Sequence, residues 1–580
     1  MSPQGPYTQI ISDEIFTDRQ EFLDRWFERI LGTPRLTMTS RAIIGRRRMG
    51  KTEVFLRLFN RLFWEQEEVT PVYVNLEHMP RTGDAFALEY FANFLRHYFA
   101  FRRKDEHRRI LRLKWEELLP LVESAGPPGL REVTARVDSL RDSPYDLTRV
   151  AMAGARDVSD LDRTPIVFLV DEFQLLLDVD TTDAGTLDMR GVFKPGVEGL
   201  LCPVLVTGSA VTIFTREILG QGPLFLRFKV ERFGGLESYY AIELAERAAR
   251  PYGLRVAPEV AAELARRTDG NPFYIKAVVD QAGEQGWHLD DPETLARATA
   301  VDVTQGAIFS DVSEWVMHTL FQANQRGLAR EVLLTMAERQ GEPFTAQDAR
   351  RVAREQGVSE EEVYLALRHL ARADIIESLD VLGLTYGVIK DPLLRDYLEG
   401  LVRVSRFEDT WARVQQELFY KYRRLLGSYS DTVGLLGEAY LELLMRRFDG
   451  REVDGKYFGV ERPVRLPRFA VDVLTRQKFG GAEIDLVGVT GSAEWWCVES
   501  KNRRRPVGVG EVEHFLAACR AARDAWPGDE EPVKWYFSRG GFTDEAESRL
   551  RDHNVLFTDG ERLDELLRLF GLRPLPPLKE

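Results

Sequence analysis

The sequence predicts an α/β chain of about three or four domains, led by a parallel sheet and closed by a second, smaller α/β sheet. Three observations predict this. An apolar run, Ala42-Ile43-Ile44, leads into Gly45-Arg46-Arg47-Arg48-Met49-Gly50-Lys51-Thr52, and residues 53–64 continue at helical spacing. A second apolar run, from Ile166 to Val170, ends in Asp171-Glu172. Unbroken apolar runs of this kind mark strands covered on both faces. Towards the C-terminus, residues 482–489 and 495–501 flank the turn Thr490-Gly491-Ser492 as a β-hairpin, and helices and short strands alternate after it.

Of 580 residues, 44% are hydrophobic and 29% are charged, an ordinary soluble balance. A formal net charge of −14 excludes a uniformly basic coat for nucleic acid, but not local basic clusters. Arg46-Arg47-Arg48, Arg102-Arg103-Lys104 and Lys501 with Arg503-Arg504-Arg505 are such clusters. The plain alternative for each is a solvated face. No apolar run approaches the ~18 residues of a membrane span, so no membrane role is expected. The start, MSPQGPYTQIISDEIF, lacks the basic-then-apolar pattern of a signal peptide. Three cysteines (Cys202, Cys497, Cys519) make neither a disulfide framework nor a C-x-x-C zinc pair. A reduced, cytoplasmic protein is expected.

Residues 13–235 form the first expected domain. Phe22 and Trp26 sit at helical spacing behind Asp18, which is expected to cap that helix. The pattern G-x-x-x-x-G-K-T between a strand and a helix suits phosphate chemistry. Its glycines let successive backbone N–H groups wrap a phosphate, and the helix N-terminus adds partial positive charge. Gly45, Gly50 and Lys51 would hold the phosphates of ATP, and the Thr52 hydroxyl would hold Mg2+. Residues 69–76 (VTPVYVNL) read as a second buried strand. Residues 85–160 read as helix throughout, with Phe86, Tyr90, Phe94 and Tyr98 along one face: a helical insertion. At the end of the next strand, Asp171 would join the Mg2+ shell, and Glu172 would orient and polarise the attacking water. Residues 202–209 (CPVLVTGS) repeat this design, so Ser209 would face the γ-phosphate. Arg216, Arg227 and Arg232 follow. One of them would stabilise transition-state charge, and Arg227 is favoured.

Residues 236–305 read as a helical lid, with Asp269-Gly270-Asn271-Pro272 as a stop, a turn and a new start. Residues 306–400 give amphipathic helices at 327–340, 345–356 and 359–373 and then two short strands, the pattern of a winged helix. The third helix mixes Glu360, Glu361 and Glu362 with Arg368, His369 and Arg372, which favours packing or regulation over base reading. Residues 401–429 read as a helical connector, one helix over 403–428 with Trp411, Leu418 and Tyr422.

The last expected domain is 430–575. Its first helix, 430–448, contains Glu438. With the hairpin turn centred between Gly491 and Ser492, Asp485 pairs with Val498, beside Glu499. Glu499 and Lys501 are two apart and share a strand face. Asp485, Glu499 and Lys501 then converge. Two carboxylates suit Mg2+, a hard cation, which acidifies water and neutralises developing phosphate charge. Lys501 would position that water, and Glu438 would add a ligand from the helix. The plain alternative is a solvent-facing hairpin with a Glu–Lys pair.

On FTDR (16–19), GRRRMGKT, FLVDEFQ, LVTGS, GNPFY and DPLLRDYL (391–398), residues 13 to about 400 resemble the archaeal-type ATPases of the AAA-like and STAND P-loop group. That resemblance implies ATP hydrolysis coupled to assembly or remodelling, with homo-oligomers. Residues 430 to about 572 resemble the PD-(D/E)xK restriction-endonuclease-like nucleases of Mrr type. Asp485, Glu499 and Lys501 match D…ExK, Glu438 matches the helical Glu, and GGFTDEA (540–546) matches a later strand-to-helix element. This resemblance implies Mg2+-dependent DNA cleavage.

The expected fold is therefore a P-loop NTPase parallel sheet with helical insertion, helical lid and winged helix, then an α/β restriction-endonuclease-like domain. The expected function is an ATP-regulated DNA nuclease, set in defence against foreign DNA. DNA, further copies of the chain and an activating protein are the expected partners. Two rivals stand beside it: a STAND-like scaffold ATPase whose nuclease-like domain only binds DNA or a partner, and an ATP-driven translocase.

Overall fold

Apolar runs flanked by polar turns must be covered on both faces, and the chain achieves this by setting them side by side. A computed structural model of the chain describes residues 6–182, 186–209, 222–323, 326–339, 341–381, 384–425, 429–469, 473–490 and 494–578. The chain divides into two compact units, Met1–Gly235 with Phe309–Trp411, and Leu236–Ile308 with Ala412–Glu580.

The first unit is built on a parallel sheet of β1 (Arg41–Ile44), β2 (Thr70–Asn75), β3 (Ile166–Asp171), β4 (Val204–Gly208) and β5 (Lys229–Arg232). The order is β2-β3-β4-β1-β5. β4 therefore lies between β1 and β3, and the ends of all three share one edge. Every residue of β3 is buried. Burying one Val, Leu or Ile side chain contributes about 1.5–3 kcal/mol. Four such residues in β3 outweigh the several kcal/mol that a buried carboxylate costs, provided Asp171 is hydrogen-bonded.

Parallel neighbours need a covering crossover. Between β2 and β3 the chain runs through helices Gly83–Arg102, Trp115–Ala125, Pro128–Ser139 and Pro144–Asp162. The Tyr90 ring stacks on Phe168 of β3 with centroids 5.1 Å apart, and Phe94 packs beside it. The first helix of the stretch expected as an insertion is thus part of the sheet's own cover. The helix Gln20–Leu31 starts after Arg19, and no side chain caps it. Asp18 and Arg19 both take left-handed backbone (φ 63° and 67°), whereas a capping residue needs extended backbone. Asp18 is therefore not the cap. Instead, Arg19 lies over the Phe233 ring at 4.2 Å and donates to Gly234 O.

The rest of this unit holds helices Arg326–Glu338, Ala346–Gln356 and Glu360–Arg372 and the antiparallel pair β6 (Glu377–Val381) and β7 (Leu384–Val388). Thr345 and Ser359 open the second and third helices with capping boxes. The single helix expected over 403–428 is instead two, Pro392–Arg406 and Trp411–Leu425. Glu408 breaks it with left-handed backbone (φ 52°), and Arg403 pairs with Asp409 across the break.

In the second unit, helices Ser238–Ala249, Pro258–Arg267, Pro272–Glu284 and Pro292–Gln305 accompany the short pair β8 (Glu452–Val453) and β9 (Val464–Arg465). The main sheet runs β10 (Leu474–Phe479), β11 (Ala482–Val489), β12 (Trp495–Lys501), β13 (Val533–Ser538) and β14 (Leu556–Asp559) in chain order. Its first three strands are antiparallel and its last three parallel. Helix Val509–Ala525 supplies the crossover from β12 to β13. Cys202, Cys497 and Cys519 are buried free thiols. Among the described residues no helix is long and apolar enough to cross a membrane.

His97 lies fully buried under the first sheet. Its Nδ1 contacts Asn93 O at 2.7 Å and its Nε2 contacts the Tyr7 hydroxyl at 2.8 Å, so Nδ1 carries the proton and Nε2 accepts from Tyr7. Burial pushes its pKa down to about 4. The folded state keeps His97 neutral while the unfolded chain takes a proton below about 6.5. This contribution to stability is full above that pH and is lost as pH falls towards 4. Between pH 7 and pH 5 the first unit should lose about 2 kcal/mol through this group. Urea unfolding at the two pH values, for wild type and His97→Gln, checks this; the variant should show a smaller loss.

Candidate functional site

The sequence Gly45–Thr52 becomes a loop between β1 and the helix Lys51–Glu65. Gly50 takes left-handed backbone (φ 87°), and an added Cβ there would meet nothing within 4 Å. Gly45 is tighter: a Cβ would fall 2.1 Å from Phe233 O. That carbonyl approaches because Phe233 N–H donates to Ile44 O at the end of the β1–β5 pairing. Lys51 is 4% exposed, and its Nζ donates to Gly45 O and Arg46 O, each at 2.8 Å. The ammonium thus lies at the centre of the loop. Burial lowers its pKa, and the charges of Glu172, Asp374 and Asp171 oppose that fall. Thr52 starts the helix and is half-buried.

Asp171 ends β3 fully buried. Thr207 on β4 donates to one of its oxygens, the Glu172 N–H to the same oxygen at 3.0 Å, and the Tyr73 hydroxyl to the other at 3.4 Å. Those bonds fix the carboxylate that a cation would use. Glu172 has left-handed backbone (φ 53°), which turns its side chain back towards β4. Ser209 Oγ donates to Glu172 Oε2 at 3.1 Å, and Gln174 donates to both Glu172 and Ser209. Burial and the Asp171 charge raise the Glu172 pKa; Lys51, Gln174 and Ser209 pull it down.

The structure therefore brings Gly45, Gly50, Lys51, Thr52, Asp171, Glu172 and Ser209 to one edge of the sheet. Ser209, expected to face a γ-phosphate, holds Glu172. Gln174, two residues beyond Glu172 in the same motif, was not singled out in the sequence. Arg227 is exposed and its guanidinium pairs with Glu198 at 3.2 Å. Arg232 is exposed on β5, and Arg216 lies outside the described residues.

The second constellation sits on β10–β12. Leu486 pairs with Val498 and Val487 with Cys497, so Asp485 falls opposite Glu499, one residue away from the register expected. Gly491 and Ser492, on which the expected turn was centred, lie outside the described residues. Thr490 N–H donates to Glu494 O, leaving three residues between them. The shift matters because residues directly opposite share a face; opposite Val498, Asp485 would have faced away from Glu499. The Ser500 N–H donates to Asp485 Oδ2 at 2.8 Å, and Lys501 Nζ lies 2.5 Å from Glu499 Oε1 and 4.0 Å from Asp485 Oδ2.

Burial, then the Asp485 charge, push Glu499 up to about 7, against the pull of Lys501. Burial also raises Asp485, partly offset by Lys501 and the Ser500 N–H. Burial works against the Lys501 ammonium, but Glu499 and Asp485 outweigh it and hold its pKa high. Two half-screened carboxylates that resist joint ionisation fit a divalent cation, which would relieve their repulsion. Arg476 grips Glu438, the residue expected as a further ligand, through two bonds of 3.0 and 3.1 Å. Among the described residues no three His, Cys, Asp or Glu side chains gather as a metal cage. The β10–β11 pairing places Arg476 opposite Asp485 with left-handed backbone (φ 50°). A lone arginine on an exposed strand gave no signal of this in the sequence.

No protein-family model matches this chain, and no curated protein matches it. Among solved structures, a Walker-type ATPase of Pyrococcus abyssi overlaps with a TM-score of 0.44 at 16% identity, over 67% of this chain and 97% of that one. The ORC2 protein of Aeropyrum pernix overlaps with a TM-score of 0.37 at 16% identity, over 72% and 96%. The RuvB Holliday junction branch migration motor of Thermotoga maritima gives 0.30 at 13% identity, over 64% and 92%.

Two glycine substitutions separate close approach from backbone strain. Gly45→Ala forces β1 and β5 apart and should cost about 1–3 kcal/mol, moving the loop as well. Gly50→Ala meets open space and carries only the left-handed strain, about 1–2 kcal/mol. Thermal unfolding of the two variants checks this: both lose stability, and Gly45→Ala loses more.

Proposed function

We propose that this chain binds and hydrolyses ATP at the Gly45–Thr52 loop, and that the nucleotide state governs Mg2+-dependent cleavage of DNA at Asp485, Glu499 and Lys501. The observation that carries the proposal is the geometry at the first sheet edge. An enclosed ammonium, a helix N-terminus and two carboxyl groups of different environment meet there. Thr52 and Asp171 are the groups that would hold Mg2+, which when bound neutralises charge on the β- and γ-phosphates. Lys51 adds its charge to the same phosphates. Glu172, with its raised pKa and its grip by Ser209 and Gln174, takes the proton of the attacking water. The water oxygen bonds to the γ-phosphorus, the bond to the β–γ bridging oxygen breaks, and ADP leaves.

At the second site, Asp485 and Glu499 would hold Mg2+, which when bound acidifies water and offsets charge on the scissile phosphate. Lys501, held beside Glu499, keeps its proton and faces the developing negative charge. Water oxygen bonds to phosphorus and the bond to the leaving sugar oxygen breaks; that oxygen takes up a proton. The exposed Arg504 and Arg505 add local positive charge for DNA phosphates despite the chain's acidic balance.

Plasmid and linear DNA, incubated with Mg2+ with and without ATP, test this. Wild type should cut, and Lys501→Ala should fall by about a hundredfold or more. Glu172→Gln should retain ATP and change the nucleotide dependence of cutting. If wild type leaves both DNA forms intact under every nucleotide while still binding them, the second site is a binding module and the scaffold reading replaces this one.

A further inference from the structure

Two arginines at the end of the second sheet donate hydrogen bonds to neutral oxygens. β12 ends at Lys501 and leads into Arg503-Arg504-Arg505, and β13 ends beside it at Ser538, just before Arg539. The Lys501 carbonyl accepts the N–H groups of Arg503 and Arg539, each at 3.0 Å. The two loops cross so closely that a Cβ on Gly540 would fall 2.2 Å from Arg504 O. Arg504 and Arg539 therefore leave the sheet together, beside the strand end that carries Lys501.

Arg504 Nη2 donates to Leu578 O at 2.8 Å. Arg539 Nη1 donates to Asn502 Oδ1 at 3.4 Å, and its Nη2 to Leu575 O at 3.5 Å. Arg503, by contrast, pairs with the Glu511 carboxylate, as Arg476 does with Glu438. A carbonyl oxygen satisfies a donor but does not cancel its charge. Burial lowers the Arg539 pKa, the Asp564 charge opposes that fall, and the Arg504 charge adds to it. The two guanidinium groups thus repel each other on one surface.

Both carbonyls belong to Arg573-Pro574-Leu575-Pro576-Pro577-Leu578, an irregular stretch after the helix Gly560–Leu569. Its first half is anchored. Leu572 and Leu575 are buried, and the Leu575 N–H donates to Asp564 Oδ1 at 2.9 Å. The Arg573 guanidinium pairs with Glu246 and lies 5.2 Å from the Tyr239 ring. The second half lies further out: Pro577 is exposed and Leu578 half-buried. Three prolines fix φ in advance, so laying this segment down loses little chain entropy. All these contacts lie within the second unit.

We infer that Arg504 and Arg539 form a docking surface for the phosphodiester backbone of DNA, and that residues 575–578 cover it as a neutral stand-in for phosphate. Bonds from a guanidinium to a charged oxygen are about twice as strong as those to a neutral one. DNA therefore displaces the Leu578 carbonyl from Arg504 while the anchored half stays. The cover lowers DNA affinity by the fraction of molecules in which it is closed. This rests on the reading of the second site as a DNA site.

The test is fluorescence anisotropy of a labelled DNA duplex, titrated with the protein in EDTA so that no cleavage occurs. Thermal unfolding confirms that each variant folds. A chain shortened after Pro576 keeps Leu572 and Leu575 and should bind about five- to tenfold more tightly than wild type. Pro576→Gly with Pro577→Gly, which changes neither length nor charge, should move affinity the same way by a smaller factor. Arg504→Ala should weaken binding about tenfold, and Arg504→Ala and Arg539→Ala should each lower the salt slope by about 1. In the Arg504→Ala background, shortening should change affinity by less than about twofold. Wild-type affinity in both segment variants overturns the cover. Wild-type salt slopes in both arginine variants overturn the docking surface. No binding by wild type or by the shortened chain is a different result: it removes the DNA reading of the second site, and this inference with it.

Discussion

A single enclosed ammonium organises the first unit. Lys51 is almost without solvent, bonds to two carbonyls of its own loop, and stands in the fields of Asp171, Glu172 and Asp374. A buried cation needs such company, since removing the partners of a buried charge costs about 3–5 kcal/mol. Each partner comes from a different part of the chain. The sheet order makes the meeting possible: β4 between β1 and β3 sets Thr207 and Ser209 where they can hold Asp171 and Glu172. The apolar strands supply the free energy that keeps these polar groups in place.

The second unit solves a similar problem with the signs reversed. Three carboxylates, Glu438, Asp485 and Glu499, are brought to one surface and two cations, Arg476 and Lys501, meet them. Burial, with the Asp485 charge beside it, raises Glu499 to about 7. Arg476 holds Glu438, while Lys501 lies beside Asp485 and Glu499.

Local spacing made much of this legible. The loop motif, the apolar strand before Asp171 and the i, i+2 relation of Glu499 and Lys501 are short-range patterns, and short-range geometry is set by strand and helix periods. What escaped was set at long range or by one residue of loop length. The hairpin register differs by one residue from that expected, and it puts Asp485 on the face of Glu499. Arg476 reaches Glu438 because of a left-handed residue within a strand. Asp374 meets Arg47 across 327 positions of sequence; a turn after an amphipathic helix carries no mark of such a contact. Asp18 carried a capping residue type but not the extended backbone that capping needs.

The central claim is that Lys51 anchors a nucleotide phosphate. Equilibrium binding of Mg·ATP to wild type and Lys51→Ala measures it most directly, with circular dichroism confirming that both are folded. The account predicts saturable binding by wild type and a loss of about a hundredfold in the variant, the size of a charge-assisted contact to phosphate. Equal affinities in two folded proteins would contradict it.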